Sequence, residues 1–117
     1  MNELMINGEL YIKKSSIIDS PSIVSDYVIV RTYSSGVFAG YIESRNNQEV
    51  VMRNARRIWY WEGAASLSQL AVDGTSKPDG CKFPCEVDRI ELLQVIEILN
   101  VTEKSEKSIK EVPVWKQ

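Results

Sequence analysis

Arg56-Arg57-Ile58-Trp59-Tyr60-Trp61 is the densest run of chemistry-bearing side chains in the sequence. On a strand, alternate residues face opposite ways. Arg57, Trp59 and Trp61 would then share one face, and Arg56, Ile58 and Tyr60 the other, with Asn54 if the strand reaches it. Each face would set a cation beside aromatic surface. That pairing suits a planar base joined to a phosphate, because the ring stacks and the guanidinium takes phosphate oxygens as a fork. The competing reading makes one face core and the other a solvated strand with Arg lying over Tyr. Lys82-Phe83-Pro84 is a second signal. Phe83, stiffened by the proline, is either a stacking lid over a ligand or a hydrophobic plug that pins its loop to the core. A third is Arg31, followed by the turn Ser34-Ser35-Gly36, in which Ser35 and its neighbours offer hydroxyls and backbone N–H groups to an anion. Turns of that kind are common where nothing binds.

Catalysis has little to draw on. The chain has 117 residues and no histidine, which excludes Ser-His-Asp and Cys-His mechanisms and removes the commonest metal ligand. Asp73, Asp79, Glu86, Asp88, Glu91 and Glu97 are available carboxylates, but no spacing singles out a pair for acid–base work. No phosphate-loop, dinucleotide-binding or nucleophile-elbow motif occurs. Cys81 and Cys85 are too few for a disulfide framework or a zinc site, and read as free thiols flanking a turn in a reducing compartment. The expectation is a protein that is not an enzyme and needs no cofactor and no metal.

Charge narrows the partners. Lys and Arg number 14 against 16 Asp and Glu, for a net charge of -2, which disfavours blanket binding to nucleic acid by counterion release. No run of about 18 apolar residues exists to span a membrane. No basic segment followed by an apolar stretch opens the chain, so no secretory signal is visible.

The elements that must position these residues suggest an α+β fold of one domain, with residues 1–26 as an extension and 27–117 as the ligand-binding body. Asn7-Gly8 between apolar triplets signals a hairpin, and residues 15–26 read as a Ser-rich linker. Tyr27 to Tyr33, Val37 to Ser44, Glu49 to Arg53 and Ala55 to Trp61 predict an antiparallel meander, with turns at 34–36 and 45–48 and a bend near Asn54. Ser66 and Gln69 have capping-box spacing for a short helix whose apolar face is Leu67, Leu70 and Ala71, with Gly74 as its stop. Residues 74–86 form a long loop of the size that is often functional. Val87 to Val101 predicts one long or bent strand, with Ile90, Leu92, Ile96 and Ile98 on one face; a helix over 91–99 is the weaker fit. Thr102 can cap a final helix carrying Glu103/Lys107 and Glu106/Lys110 pairs, followed by an extended tail at Val112-Pro113-Val114-Trp115.

Val28 to Arg45, Asn54 to Asp73, Cys81-Lys82-Phe83-Pro84 and Val101 to Lys116 resemble a family of small bacteriophage and prophage proteins. Within it, the pattern is similar to the first-described type of phage Thoeris anti-defence proteins. The resemblance covers roughly residues 27–117. It implies a sponge that sequesters, without cutting, cyclic ADP-ribose isomers made by bacterial TIR-domain proteins. Some members of that family also hold the cyclic oligonucleotides of CBASS systems at separate sites. It further implies homo-oligomers, dimers that can build hexamers, with pockets at subunit interfaces in the host cell cytoplasm. The pocket residues it implies here are Arg31, Arg57 and Phe83, with Arg56 and Lys110 for a second site. The alternatives are a phage accessory module that binds proteins through its tryptophans, and a single-stranded nucleic-acid binder, which the net charge makes the weakest of the three.

Overall fold

A computed structural model describes residues 24–117. The expected Asn7-Gly8 hairpin and all but the end of the linker lie outside the described residues. The described residues form five strands: β1 (Val24–Thr32), β2 (Val37–Asn46), β3 (Glu49–Arg57), β4 (Val87–Leu92) and β5 (Val95–Thr102). They are joined by two helices, α1 (Leu67–Asp73) and α2 (Glu103–Glu111), and by a single 3-10 turn at Pro78–Gly80. The protein is thus α+β, with an antiparallel sheet in the order β4-β3-β2-β1-β5. β1 begins at Val24, so the last three residues of the expected 1–26 extension belong to the sheet.

The sheet is curled. β4 and β5 lie at opposite ends of the strand order, yet only Leu93 and Gln94 connect them. Crossing four strand spacings of a flat sheet would require roughly 19 Å, and three residue steps reach only about 11 Å. The sheet must therefore roll until its two edges meet at that corner. Two backbone bonds pin the meeting point: Tyr33 N–H donates to Gln94 O at 2.8 Å, and Val95 N–H donates to Gln48 O at 3.0 Å. Register shifts between β2 and β3 and between β1 and β5 help the strands bend. One lies on β3 at Asn54, which takes φ +49°; the facing Gly40 is required there, since a Cβ on it would meet Ala55 at 2.8 Å.

Rolling gives two cores. Val28, Val30, Phe38, Val50, Met52, Ala55, Leu92 and Val95 fill the inside of the roll. Tyr27, Ile29, Ala39 and Val101 face outward and are covered by α1, α2 and residues 58–83, which contribute Ile58, Leu70, Cys81, Phe83 and Ile109. Alternate residues of β1 therefore serve different cores, which is why this strand is apolar on both sides.

The helix signals hold. Ser66 Oγ accepts from Gln69 N–H, Gln69 Oε1 accepts from Ala65 N–H, and Gly74 ends α1 at φ +75°. Thr102 Oγ1 accepts from Ser105 N–H to start α2. Two expectations fail. The strand expected over 55–61 ends at Arg57, and Tyr60 makes only an isolated bridge to Lys82. The single strand expected over 87–101 is two strands that do not pair with each other. The break at Leu93-Gln94 shifts the alternation, so Val95 joins Leu92 inside while Ile96 is exposed.

Candidate functional site

Arg56 and Arg57 leave β3 in opposite directions. Arg57 stands opposite Phe38, and its exposed guanidinium lies 4.6 Å from that ring's centroid, capping the mouth of the roll. Arg56 stands opposite Ala39 and is buried in the outer core. Its Nε donates to Pro84 O at 3.0 Å, Nη1 to Ile109 O and Val112 O at 3.0 Å each, and Nη2 to Phe83 O at 2.6 Å. Burial pulls its pKa down, yet a guanidinium keeps its proton at any ordinary pH. Arg56 is therefore committed to binding the protein to itself. The expected arrangement of two shared faces does not form: the strand ends at Arg57, Trp61 packs against the outer core and Trp59 stays exposed.

Phe83 is fully buried, its ring 5.4 Å from the Arg56 guanidinium. Of its two readings, plug and lid, the structure places it as the plug. Arg31 lies on the outer face of β1, exposed, and pairs with Glu97 at 2.9 Å. It is thus on the opposite side of the sheet from Arg57. Arg31, Arg57 and Phe83 do not converge within one subunit. Ser35 sits in the exposed β1–β2 turn, where its N–H is taken by Thr32 Oγ1 at 2.8 Å. Asn54 supplies the left-handed backbone of the bulge, with its side chain exposed.

Two clusters do form. The first is aromatic and exposed. Trp59 and Trp115 stack with ring centroids 5.0 Å apart and planes 17° from parallel. Lys82 Nζ lies 5.4 Å from the Trp59 ring, 5.6 Å from Tyr60 and 5.7 Å from Trp115. Its position follows from the backbone. Residues 59–60 and Lys82 exchange hydrogen bonds, and Trp115 N–H donates to Phe83 O at 3.0 Å, which draws the tail alongside. Trp59 keeps 58% of its surface exposed, Tyr60 43% and Trp115 41%. Large aromatic side chains gathered at a surface, with a cation among them, mark a binding surface more often than chance exposure. Of these four, only Trp59 is a ligand-binding candidate from the sequence; Tyr60, Lys82 and Trp115 stand there as members of the Arg56–Trp61 run, the Phe83 loop and the C-terminal tail. What is not legible locally is that the run, the loop and the tail meet at one place.

The second cluster joins β1, β2 and α2. Glu106 accepts from Tyr41 Oη at 2.5 Å and from Ser25 Oγ, and pairs with Lys110 at 2.8 Å. Lys110 Nζ also donates to Tyr41 Oη and stands over the Tyr27 and Tyr41 rings at 5.2 and 4.9 Å. Lys110 is thus engaged, not a free cation. Burial alone would raise the Glu106 pKa, but hydrogen bonds from Lys110, Ser25 and Tyr41 outweigh it and bring it to about 2. Tyr41 is raised by burial and by Glu106, and Lys110 is raised because its bonds to Glu106 and Tyr41 outweigh burial. A lowered carboxylate pKa stabilises the fold above its unfolded value of 4.5, and that stabilisation fades as pH falls towards 2. Urea midpoints should therefore drop between pH 6 and pH 3 by an amount corresponding to about 1–2 kcal/mol. In Glu106→Gln this part of the drop should vanish; an unchanged pH profile would show that the cluster does not hold the fold.

Among the described residues, no group of acidic or cysteine side chains is placed to hold a metal ion, and no helix is long and apolar enough to cross a membrane. Residues 25–109 match a family described as Domain of unknown function (DUF6948). No curated protein and no solved structure matches the chain.

Proposed function

The chain belongs to the DUF6948 family of domains of unknown function, and within that frame we propose that it is a non-catalytic binding protein for a small ligand that joins a planar base to phosphate. The observation that carries this reading is the exposed Trp59–Trp115 stack with Lys82 and Tyr60 at its side. A base adds to an outer face of the indole pair, and Lys82 meets the phosphate. Such stacking contributes roughly 1–3 kcal/mol per base. No general base is needed to hold a ligand, so a chain without histidine is suited to the task.

The resemblance described above makes the ligand specific: a cyclic ADP-ribose isomer, sequestered intact as a phage counter to a Thoeris defence in the host cytoplasm. Cyclic oligonucleotides are second candidates. Arg57 and Arg31, on opposite faces of one subunit, serve such a ligand only if copies assemble so that each subunit supplies part of the site.

Calorimetry with purified cyclic ADP-ribose isomers tests this. Binding is expected, and heating the complex should release the ligand unchanged. Trp59→Ala should weaken affinity roughly 5- to 100-fold, and Lys82→Ala should weaken it less steeply. Absence of binding by folded protein overturns the reading. Binding that instead follows oligonucleotide length and collapses with salt assigns the surface to single-stranded nucleic acid.

A further inference from the structure

Lys82 is nearly equidistant from the two stacked indoles, its Nζ 5.4 Å from the Trp59 centroid and 5.7 Å from that of Trp115. The centroids themselves lie 5.0 Å apart. A point so placed is level with the contact between the rings and stands at its rim; it is not level with either outer face. The cation is therefore positioned for a phosphate whose base lies between the indoles. An outer face offers a base one ring. The gap offers two and keeps the phosphate beside Lys82.

Trp115 closes this gap, and the way its tail is attached shows how the gap opens. The root of the tail is fixed. Val112 is buried, its N–H donates to Ile109 O at 3.2 Å, and its carbonyl accepts from Arg56 Nη1 at 3.0 Å. Pro113 follows; it keeps Val112 extended, at φ −62° and ψ 129°, and has no N–H to give. Beyond it the tail returns to the domain at a parallel bridge between Val114 and Phe83, where Trp115 N–H donates to Phe83 O at 3.0 Å. Val114 and Trp115 are both exposed there. Lifting the bridge does not orphan the acceptor, because Phe83 O also takes Arg56 Nη2 at 2.6 Å. A base between the rings needs them about 3.5–4 Å further apart. From Val112 to Trp115 the chain reaches roughly 10 Å, so a rotation of about 20° at the root suffices.

We propose that Trp59 and Trp115 form a slot for a single planar base, with Lys82 at its rim for the phosphate and Val112-Pro113 as its hinge. Trp115 is thereby a ligand-binding residue. The slot rests on the binding function proposed above and carries it one step further: an outer face gives the first contact, and the base then passes between the rings. Two base–ring contacts replace one ring–ring contact, so the exchange favours the bound form. Both walls belong to one chain, so the slot is complete in a single subunit.

Adenosine 5′-monophosphate and the full chain test it, with calorimetry for affinity and near-ultraviolet dichroism for the coupled indole pair. The nucleotide should bind with a Kd of roughly millimolar or tighter. Binding should abolish the coupling signal, because the base separates the rings. Ribose 5-phosphate, which has no base, should leave the signal unchanged and bind far more weakly. Trp115→Ala should weaken nucleotide binding roughly 5- to 100-fold, and Trp115→Phe should keep most of the affinity. Thermal melting confirms that both variants are folded. Three results would each overturn the slot while leaving the binding function on an outer face: a bound nucleotide with the coupling signal intact, Trp115→Ala that binds as tightly as wild type or tighter, and ribose 5-phosphate that binds as well as the nucleotide. Failure of folded wild type to bind the nucleotide also overturns the slot, and failure to bind cyclic ADP-ribose isomers as well overturns the binding function with it.

Discussion

Arg56→Met is expected to destabilise the protein by about 3–5 kcal/mol, among the largest losses any single side chain of this fold can produce. The guanidinium ties together three pieces of chain distant in sequence: β3, the loop at Phe83-Pro84, and the end of α2 with the residue after it. Ile109 and Val112 lie at the C-terminal end of α2, where carbonyls lack helical partners and the helix dipole is negative. Arg56 thus caps that helix from across the domain. Methionine fills much of the volume and leaves the Pro84 and Val112 carbonyls without their donor, while Phe83 O keeps Trp115 N–H and Ile109 O keeps Val112 N–H. Each unpaired buried acceptor costs about 1–3 kcal/mol, and water reaching some of them keeps the total below the sum. Arg56→Lys retains a charge but not the fork, and should lose about 2 kcal/mol. For a domain of this size, the methionine variant should melt roughly 15–30 °C below wild type. A loss under about 1 kcal/mol in urea unfolding would show that the carbonyls are satisfied without the arginine.

The same residue shows where the sequence stops being informative. An arginine beside Ile and Trp looks identical whether its donors face a ligand or the protein's own carbonyls. What separates the two is whether residues 83–84 and 109–112 return to meet it, and that is a matter of long-range packing. Local signals fared differently. Ser66 with Gln69, Gly74 and Thr102 were legible because each cap is made within a few residues. The meander was legible from β1 to β3 because these strands follow one another as neighbours.

The split at Leu93-Gln94 was hidden for a physical reason. Val87 to Thr102 is β-prone throughout, and no Gly or Pro marks the corner. The chain turns there because the sheet rolls, a property of five strands together. The stacking of Trp115 on Trp59 is similarly non-local. It depends on a parallel bridge between Phe83 and Val114, joining residues that no pattern connects.

Phe83→Ala carries the second large expected effect, about 3–5 kcal/mol, and it decides between the two roles its sequence allowed. A buried ring that packs among Tyr27, Ile58, Leu70 and Ile109 leaves a cavity when truncated. A lid over a ligand site would instead leave stability intact and weaken binding alone. The structure sharpens the expectation further, because the Phe83 carbonyl accepts from both Arg56 and Trp115. If the ring no longer anchors this segment, the carbonyl moves and the tail loosens with it. The Trp59–Trp115 stack should then weaken, visible as loss of near-ultraviolet dichroism from the indole pair, even in the fraction that stays folded. Phe83→Leu keeps most of the apolar volume and should cost only about 1–1.5 kcal/mol with the indole signal preserved. Ligand affinity should follow the indole signal across the two variants, not the presence of a ring at position 83. An alanine variant with wild-type stability and indole dichroism would return Phe83 to the role of a lid.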